Sequence, residues 1–173
     1  THCTSSAASD VYKRQIASHV IDITDNESIE KVVDEFSPDA IINSAAMANV
    51  DNCEVERDKC WKVNVDGVKN LVNTCDNYGI HLVHISTDYI FDGKKVGGIY
   101  TEDDEPSPQG FYAESKLAGE KVILSSSVSS SILRTILVYG MHQRHNIVTF
   151  IKEKLEKGDP VSYTHLTLPT KCS

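Results

Sequence analysis

Glycine is absent from the first 66 of the 173 residues, and all nine glycines lie at or after Gly67. A nucleotide-binding α/β domain ordinarily opens with a Gly-rich turn, so the start of this chain holds no such turn. Basic charge is scarce as well: 17 Lys and Arg stand against 25 Asp and Glu, a net charge of −8. That balance argues against a nucleic-acid partner or an anionic membrane, which both need a basic face. No apolar run approaches the roughly 20 residues that span a bilayer, and no basic-then-apolar leader opens the chain. Cysteine forms no CxxC pair. Cys3 and Cys172 lie at the ends, and Cys53, Cys60 and Cys75 make no even-numbered framework, which predicts reduced thiols and a cytoplasmic protein. Against these absences stand 40% hydrophobic residues spread along the length, enough for the core of one domain.

The two ends read differently from the middle. Ser5-Ser6-Ala7-Ala8-Ser9-Asp10-Val11-Tyr12-Lys13-Arg14-Gln15 resembles the in-frame translation of a transposon-type sequencing adapter. Val161-Ser162-Tyr163-Thr164-His165-Leu166-Thr167-Leu168-Pro169-Thr170 resembles the matching adapter read in the opposite sense. Residues 1–15 and 161–173 are therefore expected to be non-native tails and are set aside from fold reasoning. The native span is expected at 16–160. Residues 1–15 carry Lys13, Arg14 and Asp10, and residues 161–173 carry Lys171, each a net +1, which leaves −10 for the span between.

Within that span, short apolar runs alternate with helical periodicity. His19 to Ile23 reads as a strand, and Thr24 with Glu27 as a capping box. Ile29, Val32, Val33 and Phe36 then fall on one helix face, ended by Ser37-Pro38. Ala40 to Ala46 reads as a strand buried on both faces. A helix is expected from about Asp58 to Tyr78, with Gly79 as its C′ residue. Ile80 to Ser86 reads as a strand, 92–111 as a loop, Tyr112 to Leu124 as a helix, Ser131 to Val138 as a strand and Asn146 to Glu156 as a last helix. Strands alternating with helices predict a doubly wound α/β fold with a parallel sheet.

In such a sheet a ligand lies beyond the carboxyl ends of the strands. Asp22 follows the first, Asn43-Ser44-Ala45-Ala46-Met47-Ala48 the second, Ser86-Thr87-Asp88 the third. The small residues let a flat ligand approach the backbone, while Ser86, Thr87 and Asp88 offer hydroxyls and a carboxylate. Tyr112 and Lys116, at i and i+4, share a helix face. An ammonium about 4 Å from a phenol contributes up to roughly 4 kcal/mol at an effective dielectric near 20, worth about three pKa units. Such a pair would make Tyr112 a proton donor to a carbonyl oxygen as hydride reaches its carbon, with Ser86 or Thr87 holding that oxygen. A Tyr-x-x-x-Lys match alone is equally an exposed surface contact. Its place after two strands ending in small and hydroxyl residues is what gives it weight.

The succession Asn43-Ser44-Ala45-Ala46, Ser86-Thr87-Asp88-Tyr89-Ile90-Phe91, Tyr112-Ala113-Glu114-Ser115-Lys116-Leu117-Ala118-Gly119-Glu120 and Arg134-Thr135 resembles the extended short-chain dehydrogenases/reductases. Within them it is most similar to the dTDP-4-dehydrorhamnose reductase group. The resemblance covers nearly all of 16–160 and implies a Rossmann-type sheet and an NAD(P)-dependent oxidoreductase of dTDP-rhamnose biosynthesis. Tyr112 would be the proton donor, Lys116 would lower its pKa and bind the nicotinamide ribose, and Thr87 would assist. Ser86, Thr87 and Asp88 would face the sugar. Ala45, Ala46, Met47 and Ala48 would line the dinucleotide, Asp22 and Ile23 would lie by the adenine, and Asn64 would support the site. The implied cofactor is NADPH or NADH, the implied substrate a nucleotide-linked, dTDP-type 4-keto sugar, and the whole protein is compatible with a homodimer. The family's first strand, Gly-rich turn and cofactor-discriminating residue would precede Ile16, and its C-terminal sugar-binding part would follow about residue 160. The span thus reads as the middle of an enzyme. Ile136-Leu137 replaces an aromatic that often follows the Arg-Thr pair, which leaves the sugar open.

Two other readings stay open: a nucleotide-sugar epimerase or dehydratase, and a non-catalytic regulatory subunit resembling the methionine adenosyltransferase β subunit. No metal site is expected. His81 and His84 lie at strand spacing on opposite faces, and His142 and His145 flank a turn. Trp61 is expected in the core, and Glu102-Asp103-Asp104-Glu105 in a solvated loop.

Overall fold

The structure, a computed structural model, describes residues 19–136 together with Thr149, Lys152, Glu153, Glu156 and Lys157. The chain divides into two units, Thr1–Ile136 and Leu137–Ser173. In the second, the five described residues are helical, with Lys152 Nζ 3.8 Å from Glu156 Oε1. The remaining positions of the expected 146–156 helix, His142, His145 and both tails lie outside the described residues.

In the first unit, strands β1 (Ala40–Asn43), β2 (His81–Thr87) and β3 (Ser130–Thr135) form a parallel sheet in the order β1-β2-β3. Asn43 pairs with His84 and Thr87 with Thr135, so the strands end together along one rim. Helices are α1 (Asn26–Phe36), α2 (Val50–Val55), α3 (Arg57–Trp61), α4 (Gly67–Tyr78) and α5 (Phe111–Leu124). This is an open, Rossmann-type α/β sheet. Ile23, Ile29, Val33, Val68, Leu71, Val72, Cys75, Leu82 and Ile123 make its core. No helix among the described residues is long and apolar enough to cross a membrane.

Several expectations need correction. His19 to Asp22 is not a strand. Local bonds replace a ladder there: the Asp22 amide donates to Ser28 Oγ (3.1 Å) and the Asp25 amide to Asp22 O (3.1 Å). The cap of α1 is Asp25 rather than Thr24, because Asp22 draws the Thr24 hydroxyl (2.8 Å) and Asp25 accepts the Glu27 amide (3.1 Å). β1 is buried on one face only: Asn43 points into the protein while Ile42 is 69% exposed, and Leu133 of β3 is 49% exposed. The expected helix over 58–78 is three pieces, α3, a π turn over Lys62–Asp66 and α4, and α2 was not expected. Trp61 is 39% exposed and packs beside the Phe111 ring instead of entering the core. Gly79 does close α4, in the left-handed conformation at φ 69°.

The π turn matters for the site. Gly67 donates its amide to Lys62 O, one residue further back than an α-helix would reach, and the widened turn carries Asn64. Helix α5 crosses this turn so closely that a Cβ on Gly119 would sit 2.7 Å from the Asn64 carbonyl oxygen. Gly119→Ala is therefore expected to destabilise the chain by about 1–3 kcal/mol through forced separation of the two segments. Urea unfolding measures this, and a loss below about 0.5 kcal/mol would contradict so tight a crossing.

Candidate functional site

The rim of the sheet is assembled from three segments. The first follows β1. Asn43 Oδ1 accepts the Ala45 amide (3.1 Å), which ties down the Ser44–Ala46 segment. The second is the end of β2, where Thr87 accepts the Tyr89 amide (3.2 Å) and starts a 3-10 turn over Asp88–Ile90. The third is the first half of α5. Glu54 on α2 accepts the Phe111 amide (2.5 Å) and thereby caps the helix that carries Tyr112 and Lys116. Gly110, at φ 96°, makes the approach to this start possible.

Beside the rim lies a cleft of about 200 Å³, lined by Ile21, Asp22, Ile23, Thr24, Ala45, Ala46, Lys62 and Val63. Four of the expected cofactor-side residues, Asp22, Ile23, Ala45 and Ala46, thus meet in one place. Thr24, through its amide (2.9 Å) and hydroxyl, occupies one Asp22 oxygen and holds that carboxyl below the usual carboxylate range. Met47 and Ala48 continue the same segment outside the lining. Asn64 acts on it indirectly: its Oδ1 accepts the Met47 amide (2.8 Å), and its Nδ2 donates to Met47 O (3.1 Å) and Ser115 Oγ (2.9 Å). Its amide is spent on protein groups, and it braces the segment against α5.

Ser86, Thr87 and Tyr112 gather at the other side. Ser86 is buried, and its Oγ has no hydrogen-bond partner among the described residues. Such an atom costs free energy unless something pairs with it. The Thr87 hydroxyl, which donates weakly to Asp88 (3.4 Å), also favours the anion of the nearby Tyr112 phenol and pulls its pKa down. Burial outweighs that effect, and with the thiol of Cys53 and the side chains of Tyr89 and Asp88 it raises the phenol above its usual range. The expected lowering by Lys116 is not observed. Lys116 is buried, and its Nζ donates to Ile85 O (2.8 Å) and faces His84 Nε2 (3.3 Å). Desolvation pushes it down to about 8, against the pull of Glu120 and Cys60. The ammonium expected to tune the phenol is turned into the sheet.

The sequence reading missed the residues behind the site. His81 spends both ring nitrogens on Ser129 and Ser131 (2.8 and 3.0 Å), as a satisfied polar residue, but His84 is fully buried and bonds Asn43 and Lys116. A histidine inside the apolar run Ile80 to Ser86 was itself a signal, since a buried polar group needs partners. Glu120 is fully buried and receives Arg134, the nearest contact being 2.8 Å. No group of His, Cys, Asp and Glu suited to a metal occurs among the described residues.

A family model described as the RmlD substrate binding domain matches residues 4–172. The probable low-salt glycan biosynthesis reductase Agl14 of Haloferax volcanii is 41% identical over 147 residues, covering 83% of this chain and 49% of that protein. The dTDP-4-dehydrorhamnose reductase of Aggregatibacter actinomycetemcomitans is 37% identical over 132 residues, covering 76% of this chain and 45% of that one. Among solved structures, a dTDP-4-dehydrorhamnose reductase of Bacillus anthracis in complex with NADP superposes with a TM-score of 0.74 at 35% identity, over 79% of this chain and 48% of the other. The chain spans about half the length of the curated relatives it matches.

The burial of Lys116 has a measurable sign. Between about 8 and its usual 10.5, the unfolded chain holds a proton that the folded chain has released, so this residue makes stability rise with pH across that window. Cys53 and Cys75, pushed up to about 12 and about 11 by burial, act the other way above the usual thiol value of 9. The difference between the wild type and Lys116→Met isolates the amine. From pH 7.5 to 9 the wild type is expected to gain on the variant by at most about 1.4 kcal/mol per pH unit. Thermal unfolding across this range measures it, and parallel curves would show an amine that is not desolvated.

Proposed function

The chain belongs to the RmlD substrate-binding-domain family, and from that membership and the geometry of its rim we propose that residues 16–160 are the central part of an NAD(P)-dependent reductase of a nucleotide-linked 4-keto sugar, of the dTDP-4-dehydrorhamnose reductase kind. The observation that carries this reading is the gathering of Tyr112, packed edge-on against Tyr89, beside Thr87 at the carboxyl end of β2, with Lys116 one helical turn further along. A proton donor and a second hydroxyl can there bracket one carbonyl oxygen.

The residues present suit a dinucleotide. The cleft beside Asp22, Ile23, Ala45 and Ala46 takes an adenosine-sized portion, with small side chains where a flat ring must approach the backbone. At the opposite side, the unpartnered hydroxyl of Ser86 fits a polar ligand group. When bound, a reduced nicotinamide cofactor, NADPH or NADH, supplies the hydride for the carbonyl carbon. The chain does the rest. Asn64 holds the Met47 peptide, and with it the Met47-Ala48 stretch along the dinucleotide. Ser86, Thr87 and Asp88 face the sugar, and the Ser86 and Thr87 hydroxyls donate to its carbonyl oxygen. Tyr112 delivers its proton to that oxygen as negative charge develops there. The raised pKa keeps the phenol protonated at neutral pH but makes it a weaker acid, so the transfer relies on the Thr87 hydroxyl, which favours the anion. Lys116, with Nζ already on Ile85 O and His84 Nε2, keeps one N–H for a ribose hydroxyl.

The test belongs in the longest reading frame that encodes residues 16–160. Oxidation of NADPH or NADH with dTDP-4-keto sugars is expected, with Tyr112→Phe lowering turnover by about 10²–10⁴-fold while cofactor binding is retained. The rate limb belonging to Tyr112 is expected only above the usual phenol range. Cofactor binding without turnover on any keto sugar would replace this reading with the regulatory-subunit one. Interconversion of two sugars with no net cofactor consumption would point to an epimerase instead.

A further inference from the structure

Behind the rim, five groups form one hydrogen-bonded row. The Ala45 amide meets Asn43 Oδ1 (3.1 Å), Asn43 Nδ2 meets His84 Nδ1 (3.1 Å), His84 Nε2 meets Lys116 Nζ (3.3 Å), and Lys116 Nζ meets Ile85 O (2.8 Å). Asn43 and His84 are register partners across β1 and β2, and both are buried with Lys116, so water cannot complete a broken link among these three side chains. One end of the row is a backbone N–H, which can only donate. The other is a carbonyl, which can only accept.

We propose that Asn43 and His84 are positioning residues that couple the protonation state of Lys116 to the Ser44–Ala46 segment at the cleft. With a neutral amine, every link runs in the same direction. Ala45 donates to Asn43, Asn43 to His84 Nδ1, His84 through Nε2–H to the lone pair of Lys116, and Lys116 to Ile85 O. An ammonium has no lone pair, so His84 Nε2 must then accept from it and the imidazole proton moves to Nδ1. That proton needs an acceptor, which Asn43 supplies only by turning its amide. The turned amide sets an NH₂ group against the Ala45 N–H, and that bond is lost. Charging the imidazole offers no escape, because burial and the neighbouring Lys116 charge push His84 down to about 3. The other groups acting on Lys116 are Glu120 on its own helix, already engaged by Arg134, and Cys60 on α3. Neither lies within the row. Proton uptake by Lys116, near pH 8, thus releases the Ala45 amide from Asn43. The coupling rests on hydrogen-bond direction and holds whatever substrate the site takes.

Long-range ¹H–¹⁵N spectra of the ¹⁵N-labelled chain, recorded from pH 6.5 to 9.5 without cofactor or substrate, read both ends of the row. His84 is expected to stay neutral while changing from the Nδ1–H to the Nε2–H tautomer, with the Ala45 amide shifting at the same midpoint. A single His84 tautomer across the range, or an Ala45 amide with no transition, would overturn the coupling. In Asn43→Asp, the carboxylate can only accept. It is expected to hold His84 as Nδ1–H throughout and to move the Lys116 midpoint up by at least about one pH unit. Persistence of the Nε2–H form at pH 9.5 in that variant would count equally against it, and the wild-type titration decides by itself if the variant does not fold.

Discussion

The side chain of Asn64 is the constraint on which the rim depends. It leaves the chain from a π turn, where the helical spacing is one residue too wide, and it satisfies both polar groups of the Met47 residue at once. Its remaining donor capacity goes to Ser115, whose hydroxyl also bonds the Tyr112 carbonyl (2.7 Å) and faces Cys60 Sγ (3.3 Å). One buried amide therefore fixes the segment after β1, the break between α3 and α4, and the first turn of α5. The crossing of α5 at Gly119 brings the helices close enough for this to happen. A regular α-helix through 58–78 would carry position 64 about 100° further around its axis and leave the three segments unjoined.

Helix α5 then has to bring charge into the interior. Lys116 and Glu120 stand one turn apart, and both are buried. Each finds a partner outside the helix: Lys116 on the β2 carbonyl of Ile85, Glu120 on Arg134 of β3, whose guanidinium also lies 5.5 Å from the Phe91 ring. Buried pairs of this kind contribute little net stability once desolvation is counted, but losing one partner is costly. Their consequence here is geometric. The two charged groups pin α5 to the middle and outer strands in one rotational setting, which presents Tyr112 to Thr87 at the rim.

Much of this was legible from sequence, and the limits have physical causes. The alternation of apolar runs with helical periodicity pointed to the parallel sheet, Gly79 placed the end of α4, and the Tyr112 to Leu124 pattern placed α5 to within a residue. Asp22, Ile23, Ala45 and Ala46, singled out because ligands lie beyond the carboxyl ends of parallel strands, line one cleft. Periodicity does not report hydrogen-bond direction, however. It could not show that Lys116 turns into the sheet, that Asn64 is spent on backbone groups, or that His84 is the polar centre of β2. Nor could it separate α3 from α4, since a π turn keeps the residues helical and shifts only their phase. The strand expected at His19 to Ile23 failed because Asp22 and Ser28 offered local partners that an apolar run does not advertise.

The same burial sets the two titrating groups of α5 in opposite directions, and this decides what the pair can do. Removing water disfavours a phenolate and an ammonium alike, so Tyr112 moves up and Lys116 moves down. The phenol stays protonated at neutral pH, and the amine that was expected to stabilise its anion is turned into the sheet. The amine is a group whose charge is conditional on its neighbours. The dryness of one helix face thus sets both shifts, and the hydrogen-bonded row through His84 and Asn43 is the route by which that face meets the cleft.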